Sequence, residues 1–306
     1  MNTCISITLS AALLALASVT SLPAAPDNVI LFIGDGMGPE QVKAARYFKG
    51  APLSFELLPY QAMCTTASAN SSVTDSAAAG TAIATGVKVD NGVISQISAA
   101  DGTPLLTLLE DAKAKGKKTG LITTAYLTHA TPAAFGAHEP SRNNYAEIAG
   151  DYLADSMPNV LFGGGGNGLT VEAAEGAGYT VATDSSQFAA LDASASLASA
   201  QFGSAYMPYE EDYLGSNYPY PHLAEMVVKA LDLIGDNPNG FFLMVEAGRI
   251  DHACHSNWLP EAIHETLALD NAVAAAVSWL GTRTNTLLLV TADHETGGLS
   301  VIADNG

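Results

Sequence analysis

Short apolar runs alternate with amphipathic stretches along most of the chain. "NVILFIGDG" (28–36) is apolar throughout until a Gly/Asp turn, the pattern of a strand buried on both faces. "GPEQVKAARYFKG" (38–50) follows with helical spacing and Pro39 near its first position. "YQAMCTTAS" (60–68) reads as a strand, and a helix is expected around Asp75, where Asp and Ser precede an alanine-rich run. "TPLLTLLEDAKAKG" (103–116) predicts an amphipathic helix opened by Thr103–Pro104 and closed by Gly116. "KTGLITTA", "NVLFGGGG", "GFFLMVEAG" and "TNTLLLVTAD" predict further buried strands, with helices at about 221–235 and 259–280 among them. This alternation predicts an α/β fold: a three-layer αβα sandwich around a doubly wound, mostly parallel sheet. Residues 163–220 are rich in Gly, Ala, Ser and Tyr with weak periodicity, and read as an insertion or cap with short elements. The glycine run "FGGGGNG" (162–168) lacks the Gly-Lys-Ser/Thr ending of a phosphate loop and the spacing of a dinucleotide fingerprint, so it reads as a strand-to-loop turn.

In such folds chemistry gathers beyond the carboxyl ends of the strands. Asp35, His129, Glu246 and Asp293 all fall at or just after the ends of predicted strands. "VEAGRIDHACHSN" (245–257) concentrates Glu246, Asp251, His252 and His255, and the spacing of Asp251 and His255 puts both on one side of a helical turn. A carboxylate oxygen with an imidazole nitrogen suits zinc. "LLVTADHETGG" (288–298) adds Asp293 and His294, and "LFIGDGMG" (31–38) places Asp35 between glycines. Each motif alone is matched by a plain alternative, a polar loop or a capped turn. Together they put carboxylates and imidazoles at three strand ends of one sheet, a site for several divalent cations. "VTDSAAAGTA" (73–82) sets Ser76 at a helix start, as a cap residue or as a nucleophile favoured by the helix N-terminus. Two metals can hold the attacking and leaving oxygens of a phosphoryl group, and Arg142 in "HEPSRNNY" offers a planar fork for the non-bridging oxygens.

Composition narrows the partners. The 306 residues carry a formal charge of -19 with only 12 Lys+Arg, so charge does not attract nucleic acid or anionic membranes. An anionic substrate would therefore need bound metal for local positive charge. The first 25 residues, with an apolar stretch over about 5–19 and small residues before Pro26, read as a secretory signal, although its leading region has no Lys or Arg. No later stretch is long and apolar enough to span a bilayer. Without the signal, Cys64 and Cys254 are the remaining cysteines; they make no disulfide framework, though export would permit one bridge.

"NVILFIGDGMG", "VTDSAAAGTAIATGVKVDNGVI", "THATPAAFGAH", "VEAGRIDHACH" and "VTADHETGGL" together resemble the alkaline phosphatase family, in its order, over about residues 27–300. The resemblance implies a periplasmic or secreted hydrolase of small phosphate monoesters, a homodimer in full-length form, with two zinc ions and one magnesium. It implies that Ser76 forms a phosphoserine, that Arg142 binds the substrate phosphate, and that Asp35 bridges the second zinc and the magnesium. Asp293 and His294 would complete the second zinc, Thr131 and Glu246 would hold magnesium, and Asp251 and His255 would hold the first zinc. His129 and His252 resemble the animal and marine-bacterial pattern and are expected behind the ligands, orienting water or phosphate. Cys254 is expected as a packed thiol. Longer family members bring a further histidine to the first zinc from their C-terminal part, and nothing follows "VIADNG" here. A catalytic domain over 26–306 that is incomplete at its C-terminus is therefore expected, without its final strands. Two alternatives remain open: a phosphodiesterase or sulfatase of the same superfamily, and a truncated, inactive metal-binding remnant. A sulfatase would need a Cys/Ser-x-Pro-x-Arg context, which "TDSAAAG" lacks, and a diesterase would usually use Thr as its nucleophile.

Overall fold

The computed structural model describes residues 25–302; the segment read as a secretory signal lies outside the described residues up to residue 24. The strands are β1 (Asn28–Gly34), β2 (Lys118–Tyr126), β3 (Val160–Gly164), β4 (Thr180–Ala182), β5 (Ala198–Phe202), β6 (Phe241–Ala247) and β7 (Thr286–Ala292). The helices of the first half are α1 (Pro39–Lys49), α2 (Ser76–Thr85), α3 (Leu108–Ala114), α4 (Ala130–Gly136) and α5 (Tyr145–Asp151). Then come α6 (Val171–Gly176), α7 (Ser185–Ala190), α8 (Glu210–Leu214), α9 (Leu223–Ile234), α10 (Arg249–His255) and α11 (Leu259–Leu280). The described strands form one sheet in the order β4-β5-β3-β2-β6-β1-β7, and its strand pairs are parallel.

The central strands are apolar throughout because both faces are covered. In β1, Ile30 and Phe32 pack with α9, α10 and α11, while Leu31 and Ile33 pack with α2, α3 and α4. In β6, Phe241, Leu243 and Val245 take the first side, and Phe242 and Met244 the second. Successive side chains of a strand point to opposite faces, so a continuous apolar run fills two cores at once. Each full burial contributes about 1.5–3 kcal/mol. This is the three-layer α/β sandwich expected.

Three local readings change. Residues 60–68 form no strand: they pair with none of the described strands, and Tyr60, Met63 and Cys64 lie exposed on the surface. The helix expected from Thr103 begins at Leu108. There Thr107 and Glu110 close a capping box, with Thr107 N–H donating to Glu110 Oε2 at 2.9 Å and Glu110 N–H to Thr107 Oγ1 at 3.2 Å. The segment 163–220 does hold short elements, but two of them, β4 and β5, extend the main sheet.

A parallel sheet brings all its carboxyl ends to one edge. Because β2, β6, β1 and β7 are neighbours, the residues that end them meet there: His129, Glu246, Asp35 and Asp293. Helix α2 points its N-terminus at the same edge. Ala77, Ala78, Ala79 and Gly80 are buried, and their small size lets α2 pack closely against α4.

Candidate metal and phosphate site

Ser76 opens α2, and Asp75 caps it. The Asp75 carboxylate accepts the Ala78 N–H at 3.0 Å and the Gly92 N–H at 3.0–3.1 Å. This fixes the first turn and leaves Ser76 Oγ 3.5 Å from Asp35 Oδ1 and 3.4 Å from His294 Nε2. Ser76 is buried, so its hydroxyl faces the carboxylate and imidazole cluster rather than solvent.

Two sets of donor atoms converge beside it. Oxygen and nitrogen donors of Asp35, Asp251 and His294 lie within 4.8 Å of one another, and so do those of Asp35, His129 and Glu246. Asp35 belongs to both. Asp293 stands beside the first set, its Oδ2 3.5 Å from His294 Nε2, while its Oδ1 accepts the Gly36 N–H at 3.1 Å and the His294 N–H at 2.8 Å. Asp251 Oδ1 accepts the Thr296 hydroxyl at 2.6 Å and lies 3.4 Å from His255 Nε2 across one helical turn. His255 itself is 69% exposed and stands at the rim. Thr131 is fully buried next to Glu246, whose Oε2 accepts the Thr123 hydroxyl.

The electrostatics of this cluster call for cations. Burial raises Asp35 well above the usual carboxylate range, and the charges of Asp293, Asp251 and Glu246 raise it further. Burial raises Asp293 as well. For Glu246 burial acts upward too, but His129 and the Thr123 hydroxyl outweigh it and hold the acid low. Asp35 Oδ2, Asp293 Oδ2, Glu246 Oε1, His129 Nδ1 and Thr131 Oγ1 are buried without a hydrogen-bond partner. Buried polar atoms ordinarily find partners. Orphaned oxygens and an imidazole nitrogen gathered in two compact sets fit divalent metal ions.

Arg142 reaches the capping end of Ser76's helix. Its Nη1 donates to Asp75 Oδ2 at 3.0 Å, and its Nη2 lies 3.3 Å from His129 Nε2. Burial acts to lower the Arg142 pKa, but the Asp75 carboxylate outweighs it and holds the guanidinium charged.

His129, expected behind the ligands, offers a ring nitrogen within 4.8 Å of carboxylate oxygens of Asp35 and Glu246, with α4 beginning immediately after it. His252 keeps the outer place, its Nδ1 3.1 Å from Arg249 Nη1 and its ring 5.6 Å from that of His129. Burial, then the nearby His129 and Arg249, push the His252 pKa down to about 3, so the ring is neutral. Cys254 is buried as expected, its thiol pushed up to about 11 by burial; Cys64 and Cys254 are both free. Sequence reading missed Asp75 as the partner of Arg142, and Thr123 and Thr296 as supports of Glu246 and Asp251. For Thr296 a signal existed, since it stands close after Asp293 and His294 in one motif; Thr123 lay hidden inside an apolar strand.

Fold and site define a metal-binding α/β sandwich with a serine at a helix N-terminus. The alkaline phosphatase family model matches residues 26–305. The chain is 36% identical over 306 aligned residues to alkaline phosphatase 4 of Bacillus subtilis strain 168, covering 90% of this chain and 63% of that protein. Among solved structures it is similar to the cold-active alkaline phosphatase of a psychrophilic Shewanella, at 36% identity and a TM-score of 0.81, covering 91% of this chain and 70% of that one. It is also similar to a variant of TAB5 alkaline phosphatase, from an Antarctic bacterium, in which a histidine is replaced by aspartate and Mg is bound in the M3 site. That match has 30% identity and a TM-score of 0.78, covering 90% of this chain and 79% of the other. The chain belongs to the alkaline phosphatase family. It spans less than two thirds of the length of the two Bacillus subtilis alkaline phosphatases, 3 and 4, that it matches.

Proposed function

We propose that this chain hydrolyses small phosphate monoesters through a phosphoserine on Ser76, releasing inorganic phosphate. The observation that carries the reading is the placement of Ser76 Oγ, 3.5 Å from Asp35 and 3.4 Å from His294, at a capped helix start. Asp251 and His255 would hold one zinc; Asp35, Asp293 and His294 a second; Asp35, Thr131 and Glu246 a magnesium, with His129 directed at the same place. When bound, these cations supply Lewis acidity that favours the serine alkoxide and stabilises charge on the attacking and leaving oxygens.

The protein's own groups set the geometry. Asp75 holds the first turn of α2 and aims Ser76 Oγ into the cluster. Arg142, tied by Nη1 to Asp75, offers its remaining N–H groups to the non-bridging phosphate oxygens. Ser76 Oγ gives up its proton and bonds to phosphorus as the P–O ester bond breaks, and the leaving oxygen takes a proton to depart as the alcohol. Water then attacks the phosphoserine, phosphate departs and Ser76 Oγ regains its proton. Thr296 and Thr123 hold Asp251 and Glu246 in place through the cycle.

The same reading places the protein in the periplasm or outside the cell and pairs it as a homodimer in full-length form. The signal-like N-terminus supports export, and among the described residues no helix is long and apolar enough to cross a membrane.

The test is phosphate release from phenyl phosphate by protein loaded with zinc and magnesium, alongside Ser76→Ala. Turnover abolished in the variant, together with one phosphoryl group found on the Ser76 peptide of the wild type after acid quench, is the expected result. Turnover that survives Ser76→Ala, or loaded wild-type protein that releases no phosphate, would overturn the reading.

A further inference from the structure

The glycine run at the end of β3 makes room for a neighbouring loop. A Cβ on Gly164 would stand 1.9 Å from the Ala205 carbonyl oxygen, one on Gly165 2.7 Å from that of Gly203, and one on Gly166 2.4 Å from that of Ser204. These are backbone atoms and cannot swing aside, so side chains on the run would push residues 203–205 off the sheet. On the far side of Tyr206, Met207 is buried, and its N–H donates to the Thr124 carbonyl of β2 at 3.1 Å. Tyr206 is thus pinned between two backbone anchors at the carboxyl edge of β2 and β3.

That position borders the site. The Tyr206 ring lies 4.4 Å from the His252 ring and 5.2 Å from that of Tyr126, and Tyr126 lies 5.2 Å from His129. The Arg249 guanidinium sits 5.1 Å from the Tyr206 ring centre. Despite these neighbours, 43% of Tyr206 remains exposed. It is a fixed, partly open aromatic surface linked through Tyr126 to His129, whose Nε2 lies 3.3 Å from Arg142, and no step of the hydrolysis uses it.

We infer that Tyr206 is a leaving-group platform, on which the planar group of an aryl or heteroaryl phosphate monoester stacks while Arg142 and Ser76 hold its phosphate. The inference rests on the proposed phosphate site and adds its substrate class. A ring already held in place loses little freedom when a ligand stacks on it, so the contact adds to binding with little ordering cost. Aromatic pairs of this kind contribute enough for about a fivefold preference.

The experiment is calorimetric binding of phenylphosphonate and methylphosphonate to the full, zinc- and magnesium-loaded chain. Both carry the same phosphonate head and neither has a cleavable ester. Wild-type protein should prefer phenylphosphonate by about fivefold. Tyr206→Ala and Tyr206→Leu should bring the two within about twofold, Tyr206→Phe should keep the preference, and inorganic phosphate should bind all four proteins equally. Tyr206→Leu retains apolar bulk without a planar face, so it answers the question even where Tyr206→Ala folds poorly. The platform is overturned by a wild type that does not distinguish the two phosphonates or binds neither, or by a preference that survives both non-aromatic substitutions. A Tyr206-dependent preference in a protein that turns over no monoester would instead leave the platform standing and remove the hydrolytic reading.

Discussion

Asp75 and Arg142 are joined by a 3.0 Å charge-assisted hydrogen bond, and the same Asp75 carboxylate caps the helix that begins with Ser76. One side chain therefore sets both the guanidinium and the serine. The two duties separate by substitution, because asparagine caps a helix about as well as aspartate but carries no charge. Asp75→Asn should leave the melting temperature nearly unchanged and weaken inorganic phosphate as a ligand by about threefold to tenfold. Asp75→Ala should add the loss of the cap, about 1 kcal/mol, or about 2–4 °C in melting temperature. Thermal melts and phosphate titrations of the two variants check this; identical behaviour would separate Asp75 from one of its roles.

His138 tests the fold away from the site. Its Nε2 faces Glu110 Oε1 at 2.7 Å and its Nδ1 the Ser95 carbonyl at 2.8 Å, so both nitrogens meet acceptors and the protonated ring satisfies both. Burial acts to lower the His138 pKa, but Glu110 and Ser95 outweigh it and raise it above 6.5; burial likewise opposes the lowering of Glu110 below 4.5 and loses to His138. A raised histidine stabilises fully below its unfolded value and loses this as pH rises. A lowered glutamate stabilises above its unfolded value and loses this as pH falls. The pair therefore contributes most between about pH 4.5 and 6.5, by roughly 1 kcal/mol. The stability deficit of His138→Gln should peak in that window and shrink on both sides, read from denaturant unfolding across pH.

Glu265 on α11 works in the opposite sense. It is fully buried and accepts the Glu210 N–H at 2.8 Å, and burial pushes its pKa up from 4.5 to about 8. The fold prefers the protonated acid, so the stability tied to this group is complete below about pH 4.5 and lost as pH climbs to about 8. Glu265→Gln imitates the protonated form and keeps the acceptor for Glu210. It should match wild type near pH 5 and exceed it at pH 9, by an amount on the order of a few kcal/mol. Equal pH profiles for the two proteins would contradict the assignment.

Gly36 adopts φ 70°, and a Cβ there would stand 2.9 Å from the Asp251 Cα and from Thr296 Oγ1. Its N–H holds Asp293, and its carbonyl accepts the Thr296 N–H at 3.1 Å. Gly36→Ala should cost about 1–3 kcal/mol of stability. On the proposed metal site it should also weaken retention of an added divalent metal about tenfold against a competing chelator, because it displaces supports of Asp293 and Asp251 together. Unchanged metal retention would show that the turn does not position these carboxylates.

The layered α/β architecture and the gathering of Asp35, Glu246, Asp251, Asp293 and His294 were legible in the sequence alone. Short continuous apolar runs rich in Val, Ile, Leu and Phe and bounded by Gly and Asp turns suit strands covered on both sides, and parallel pairing of such strands brings the residues at their carboxyl ends to one edge whatever the side-chain details. Local chemistry also sufficed for the start of α2, since Asp75 caps within its own turn. Tertiary structure alone decided the rest. Residues 60–68 have a strand-like pattern but lie exposed and pair with no described strand. Helix α3 starts where Thr107 and Glu110 close a box, not at the earlier Thr103–Pro104. His129 became a donor facing Asp35 and Glu246 because the turn from β2 into α4 aims its ring inward. The pairing of Asp75 with Arg142 and the seating of Tyr206 by a glycine run join residues far apart in the chain. Periodicity records which side of an element is buried, but not which distant partner meets it there; that is set by how the elements pack.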